Sequence, residues 1–150
     1  MDAVKPVVVG VDGSEASLHA LREGARMARL TEAPLTVVTA WQWPMLVVPE
    51  ILADRAWSPH EEAERLAADA VRKALGEETP PGTTVVAREG PAALVLTRMS
   101  REASMLVVGS RGRGGFAGLV LGSVSSAVGG HARCPVLITH HSGHEAAQES

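Results

Sequence analysis

The chain has 150 residues and a formal net charge of −3, so we expect one domain without a general attraction for nucleic acid or anionic lipid. The single cysteine, Cys134, excludes an internal disulfide framework, and no apolar run approaches the ~18 residues of a membrane span. The N-terminus lacks the pattern of a secretory signal, and we expect a cytoplasmic protein with neither nucleic acid nor a membrane as partner.

Short runs rich in valine, leucine and isoleucine alternate with segments of helical length. Most of these runs lack strict polar alternation, which is typical of strands covered on both faces in a parallel sheet. The pattern therefore predicts an α/β fold. In chain order it predicts a strand over 4–11, a helix over 14–30, a strand over 35–40, a loop over 41–57, a helix over 58–78, a strand over 83–88, a helix over 91–103, a strand over 105–109, a short helix from Ser123, a strand over 134–139 and a polar, flexible tail over 140–150.

The segment over 58–78 has the clearest helical signature, and we expect its helix to end near Gly76. Its apolar residues recur at three- and four-residue spacing. Ser58, Pro59 and Glu61 supply an N-cap, a proline at the first helical position and the acid of a capping box.

The helix from Ser123 is expected to be short. Gly129 and Gly130 fall inside it, and each glycine costs up to ~1 kcal/mol relative to alanine in a helix interior. We therefore expect this helix to stop early.

Two strands run into turns that combine glycine with short polar residues, in VVVGVDGSEAS and in LVVGSRGRGG. Ligands of open α/β sheets bind outside the carboxyl ends of strands, where the strand order reverses. Glycine lets backbone N–H groups approach an anion, and the helix after Gly122 adds the positive end of its dipole. Valine at Gly109 or Gly122 is expected to fill the phosphate space. The glycines of this predicted anion nest, which has no Walker lysine, are Gly109, Gly112, Gly114 and Gly115.

These segments resemble the universal stress protein family in its ATP-binding branch. The resemblance rests on the spacing Gly109-x2-Gly112-x9-Gly122-Ser123 and on four segments: VVVGVDGSEAS, LTVVTAW, EGPAALVL and GSRGRGGFAGLVLGSVSSAVGGHARCPVLI. It implies that residues 1–139 form one domain of this family. It implies a Rossmann-like sheet of five parallel strands in the order 3-2-1-4-5 with helices on both faces, as in adenine nucleotide alpha hydrolases. It further implies a bound ATP or other adenine nucleotide and a homodimer through the last strand, Val136–Thr139.

The resemblance also implies a set of binding residues. Asp12 matches an acidic contact to the nucleotide or to a phosphate-bound Mg²⁺, and Ala40 a backbone contact to adenine. No metal site formed by the protein alone is implied. The expected cofactor-binding residues are Gly10, Val11, Asp12, Ala40, Gly109, Ser110, Arg111, Gly112, Arg113, Gly114, Gly122, Ser123, Val124 and Ser125.

Several of these residues have structural alternatives. Asp12 also suits an Asx-turn, and Ser123 also suits a helix N-cap. Arg111 and Arg113 either pair with phosphates or stay solvated. The run RGRGG is also similar to RNA-binding arginine-glycine segments, but a single copy in an acidic protein does not favour that interpretation.

The expected function is nucleotide-dependent regulation in a stress response, through a population shift in a dimer. ATP hydrolysis is expected to be slow or absent, because the loop offers neither a Walker lysine nor a second dedicated carboxylate near Asp12. Cys134 is expected to be a buried structural thiol. A dimeric interaction module that binds no nucleotide and a slow ATP hydrolase remain the alternatives.

The loop over 41–57 carries all three tryptophans of the chain. It covers either the adenine base or a dimer groove, or it packs locally on its own domain. The histidines predict no metal site, because a flexible tail gives no rigid ligand geometry. His140, His141 and His144 lie in that tail, and His19, His60 and His131 are interpreted as isolated.

Overall fold

The computed structural model describes residues 4–43, 58–110 and 122–141. Short 3-10 turns, Gly76–Glu78 and Ser100–Glu102, follow the second and third helices. The second helix ends close to the predicted Gly76, whereas the third ends before its predicted limit. The elements in chain order are β1 (Val7–Gly10), α1 (Glu15–Thr31), β2 (Leu35–Trp41), α2 (Pro59–Ala74), β3 (Thr84–Glu89), α3 (Ala92–Met99), β4 (Met105–Gly109), α4 (Ser123–His131) and β5 (Val136–Thr139).

The five strands form one parallel sheet in the order β3-β2-β1-β4-β5, which confirms the predicted fold class and strand order. In the central strand, Val9 lies in register with Val37 of β2 and Val107 of β4. The neighbour of β1 is β2 on one side and β4 on the other. The strand order therefore reverses between β1 and β4, and a crevice is expected at their carboxyl ends.

The core has two apolar layers, one on each face of the sheet. Val9 packs with α1 and α2 on one face, and Val8 packs with α3 and α4 on the other. Both side chains are at most 1% exposed. Because consecutive residues of a strand point to opposite faces, a strand covered on both sides needs apolar residues at every position. This explains the unbroken valine run of β1.

Side-chain caps begin α1 and α2. Ser14 Oγ accepts a hydrogen bond from the backbone N–H of Ser17, and Ser58 Oγ accepts one from the N–H of Glu61. Pro59 occupies the first turn of α2, where its missing N–H leaves no helical bond unmade. The predicted N-terminus of α2 is confirmed.

Helix α4 does not stop at its glycines. It includes Gly129 and Gly130, ends at His131, and the N–H of Ala132 still donates to the carbonyl of Val128. Val128 is fully buried against the sheet, so tertiary packing outweighs the weak helical propensity of the glycines. The expectation of an early end is wrong.

The segment that leaves β2 also differs from its prediction. Trp41 belongs to β2, where its carbonyl accepts a hydrogen bond from the N–H of Gly90. The rest of the predicted loop, from residue 44 to 57, lies outside the described residues, and so does the tail from 142 onward. Within the described ranges no helix combines the length and apolar character needed to span a membrane.

Candidate functional site

The candidate site lies at the carboxyl edge of the sheet, where β1 ends at Gly10 and β4 ends at Gly109. The turn after β1 is hydrogen-bonded to β2, because the N–H of Val11 donates to the carbonyl of Val38. Thr39 Oγ1 donates to the carbonyl of Val11 at 3.2 Å. The first turn is thereby attached to β2, one residue before Ala40.

Asp12 is held in place by the residues that follow it. Its Oδ1 accepts a hydrogen bond from the N–H of Ser14 at 2.9 Å and another from Ser14 Oγ at 2.5 Å. The backbone N–H of Asp12 donates to Ser17 Oγ at 3.3 Å. A carboxylate that accepts from the N–H two residues on forms an Asx-turn, so the structural alternative for Asp12 is present. The carboxylate is thereby held just after the carboxyl end of β1.

The N-termini of α1 and α4 differ in the same region. Ser14 caps α1 with its own side chain, whereas Gly122 is the N-cap of α4 and has no side chain to offer. The interpretation of Ser123 as the N-cap is wrong, because Ser123 is the first helical residue and is exposed. Among the described residues, no side chain caps α4. Its first N–H groups are therefore the better candidates for an anion.

The two ends of the glycine-rich loop meet at Ser110. The N–H of Gly122 and the hydroxyl of Ser125 both donate to the Ser110 carbonyl. The N–H of Ser110 donates to the carbonyl of Thr139 at 2.7 Å. Ser125 is fully buried, and its hydroxyl also lies 3.1 Å from the Gly122 carbonyl. Ser110 and Ser125 thus close the base of the loop.

Gly109 has a packing role. A Cβ at this position would lie 3.1 Å from the carbonyl oxygen of Ala16 and 3.3 Å from its carbonyl carbon. The bare backbone of Gly109 therefore lets the first turn of α1 lie against β4. Valine at position 109 would therefore also press on α1, which is a packing reason for this glycine that the sequence did not predict.

The remaining predicted residues divide into two groups. Gly10 lies beneath the side chain of Leu96, and a Cβ there would be 2.9 Å from Cδ1 of that leucine. Val124 packs on the apolar layer of α3 and α4. The loop residues that complete the predicted set lie outside the described residues: Arg111, Gly112, Arg113 and Gly114.

A groove of about 550 Å³ opens beside this edge, between α1 and α2. It begins at Gly13, whose φ of 86° requires a left-handed backbone that glycine adopts without strain. Two acidic and two basic side chains line the groove, so its charge is balanced and gives no preference for an anion. The charged lining residues are Glu62, Arg65, Asp69 and Lys73.

Two histidines interpreted as isolated have partners. Trp41 Nε1 donates to His60 Nδ1 at 3.1 Å, and His60 Nε2 lies 2.8 Å from Glu64 Oε1. His19 faces His141, with ring centroids 5.3 Å apart. The i, i+4 spacing of His60 and Glu64 is visible in the sequence. The contact of His60 with Trp41 of β2 depends on the fold. No group of three or more potential metal ligands is present in the described part of the chain.

Cys134 precedes β5 and packs partly buried against the layer formed by α3 and α4. Burial raises the pKa of its thiol above the ordinary value, while a hydrogen bond involving the Leu106 backbone and the charge of Lys5 oppose that shift. A protonated thiol is a poor nucleophile, and this arrangement suits a structural residue.

The sequence profile of the universal stress protein family matches residues 3–140. The chain belongs to this family. A universal stress protein of Mycobacterium tuberculosis is 38% identical over 146 residues, which cover 91% of this chain and 46% of that protein. The chain thus spans about half the length of the curated relatives it matches.

Solved structures agree with this assignment. A universal stress protein in complex with cAMP is 29% identical and has a TM-score of 0.66, with 94% of this chain and 100% of that chain covered. A universal stress protein of Lactobacillus plantarum has a TM-score of 0.70 at 22% identity, with 92% of this chain and 99% of that chain covered, and it supports the fold alone.

Proposed function

We propose that this universal stress protein binds an adenine nucleotide in the crevice at the carboxyl ends of β1 and β4 and acts as a regulator. The observation that carries the proposal is the amino end of α4, which no described side chain caps and which lies beside the reversal of strand order. The relative solved with cAMP, at 29% identity, supports an adenine nucleotide as the ligand class.

The ligand is oriented with its phosphates toward α4. The first hydrogen bond within α4 runs from the N–H of Ser126 to the carbonyl of Gly122. The N–H groups before it, on Ser123, Val124 and Ser125, have no acceptor within the helix. The corresponding groups of α1 are less available, since Ser14 caps that helix itself. The partial positive charge of α4 then stabilises the phosphates without a Walker lysine.

Asp12 and Ala40 are assigned to the nucleoside. Asp12 is anchored by Ser14 and accepts hydrogen bonds from the ribose or binds a phosphate-bound Mg²⁺. Ala40 meets the adenine through its backbone at the end of β2. ATP, with or without Mg²⁺, is the nucleotide we propose, and Arg111 and Arg113 of the glycine-rich loop are its expected phosphate partners.

The regulatory signal is a population shift in a homodimer. β5 is an edge strand of the sheet, and the side chains of Val136, Leu137 and Ile138 are only partly buried. An exposed apolar edge is suited to pairing with a second copy. We propose that this regulation acts in the cytoplasm and that ATP turnover is slow or absent.

A dimeric module without nucleotide is the second candidate. Two observations favour it: Asp12 forms an internal turn with Ser14, and Gly109 is explained by its packing on Ala16. Both residues thereby have structural reasons for their identity that require no ligand.

Nucleotide analysis distinguishes the two candidates. The purified protein is denatured, and the released small molecules are separated by chromatography and identified by mass. Isothermal titration of nucleotide-free protein with ATP and with cAMP follows. Bound adenine nucleotide, or a saturable ATP titration, supports the proposal. Neither release nor binding favours the module, and continuous phosphate release from ATP indicates a hydrolase.

A further inference from the structure

Trp41 lies at the carboxyl end of β2. It directly follows Ala40, whose backbone contacts the adenine base in the proposed site. Its ring makes edge-on contacts with the rings of Trp43 and His60, at centroid distances of 6.0 and 5.8 Å. Trp43 is 53% exposed. Aromatic surface thus reaches solvent at the edge of the sheet where the crevice opens.

The imidazole of His60 fixes the orientation of the Trp41 ring. An indole nitrogen can only donate, so the 3.1 Å hydrogen bond from Trp41 Nε1 requires an unprotonated Nδ1 on His60. The imidazole proton of this neutral form is then on Nε2, which lies 2.8 Å from Glu64 Oε1. The three side chains form one chain of donors and acceptors from β2 to α2.

We propose that Trp41 is the base-stacking residue of the nucleotide site and that His60 is its positioning residue. This inference rests on the proposed function. Base stacking on an aromatic side chain is favourable for every base, and a ring already held by neighbours loses little freedom on binding. β2 and β4 are separated by β1, which is about 10 Å at the usual strand spacing. The base and the phosphates therefore occupy opposite ends of one crevice.

Two substitutions test the positioning role of His60. Leucine at this position removes the acceptor for the Trp41 indole, whereas the amide oxygen of glutamine can accept the same hydrogen bond. Base recognition should therefore weaken in His60→Leu, while phosphate recognition at α4 does not change through this contact.

The experiment compares ATP with inorganic tripolyphosphate, which lacks a base. Calorimetric titration at pH 8 of the full chain uses the wild type, Trp41→Leu and Trp41→Phe. We expect Trp41→Leu to bind ATP about 5- to 150-fold more weakly and tripolyphosphate equally well. Trp41→Phe keeps a ring but loses the hydrogen bond to His60, so its loss of ATP affinity should be smaller than that of Trp41→Leu and again absent for tripolyphosphate. This variant tests the inference if Trp41→Leu fails to fold. Equal losses for both ligands, or no loss for ATP, overturn the inference.

The same titrations of two His60 variants complete the test. At pH 8 the ratio of ATP to tripolyphosphate affinity should fall in His60→Leu and stay near the wild-type value in His60→Gln. A ratio that is unchanged in His60→Leu overturns the role of His60. A wild type that binds neither ligand refutes the proposed function, whereas ATP binding that is indifferent to Trp41 refutes this inference alone.

Discussion

A Cβ on Gly24 would lie 2.3 Å from Cγ2 of Val9, so α1 approaches the central strand more closely than any other residue at this position would allow. Val9 is fully buried and has no room to move away. The close approach explains a glycine in the middle of α1, where it costs up to ~1 kcal/mol in helical propensity.

Gly24→Ala should therefore destabilise the protein. The added methyl group forces α1 away from β1, and overpacking of this kind costs about 1–3 kcal/mol, partly offset by the better helical propensity of alanine. Urea unfolding followed by circular dichroism measures the loss. A variant as stable as the wild type would show that α1 can shift without cost.

The matched control is Gly130→Ala in α4. A Cβ at Gly130 would meet no atom of the described residues within 4 Å, so the substitution adds helical propensity without a clash there. We expect a gain of up to ~1 kcal/mol in the free energy of unfolding. The same substitution in two helices thus changes stability in opposite directions.

Gly122→Val should weaken nucleotide binding and preserve the fold. The φ of Gly122 is −75°, a value that valine adopts without strain, and its branched side chain would lie at the amino end of α4. We expect at least a tenfold loss of ATP affinity with near-native circular dichroism, because the phosphates lose access to the helix N–H groups. Calorimetric titration with ATP checks this result.

Two glycine variants serve as controls for Gly122→Val. Gly130→Val places the same side chain on the same helix, away from the described residues, and should bind ATP normally. Gly109→Val should lower stability, since its side chain presses on Ala16. Unchanged ATP affinity in Gly122→Val would remove α4 from the proposed site.

The fold was predictable because its signals are local or extend over most of the chain. The apolar strands, the Ser58 cap and the family resemblance each predicted correct elements. The roles of Gly24 and Gly109 were not predictable. A sequence does not distinguish a glycine that lets two elements pack closely from one that binds a phosphate. His60 was misread for a related reason: its partner Trp41 lies on another element, 19 residues away.

Cys134 should react slowly with thiol reagents at neutral pH. Burial raises the pKa of its thiol, so the reactive thiolate is scarce until the pH exceeds the ordinary range of cysteine, near 8.5. The initial rate of reaction with a disulfide reagent, followed from pH 7 to pH 10, should rise at higher pH than that of a free cysteine peptide. A fast reaction at pH 7 would contradict the structural role.

The same shift links Cys134 to stability. A pKa that is higher in the folded than in the unfolded state means that the folded protein holds the proton more tightly. The corresponding stabilisation is complete below the unfolded pKa and is lost as the pH rises through the folded pKa. The free energy of unfolding should thus fall with alkaline pH more steeply in the wild type than in Cys134→Ala.

Ser14 and Ser58 allow the structural and ligand roles of the first turn to be separated. Each hydroxyl caps its helix through the N–H three residues on, and alanine should cost about 1 kcal/mol at either position. Ser14 alone of the two also binds Asp12 Oδ1, with both its N–H and its hydroxyl. Ser14→Ala removes the hydroxyl contact and leaves the carboxylate less firmly oriented, so it should weaken ATP binding several-fold. Ser58→Ala should leave ATP binding unchanged despite an equal loss of stability in urea. Equal ATP affinities in the two variants would mean that Asp12 serves the turn and does not contact the nucleotide.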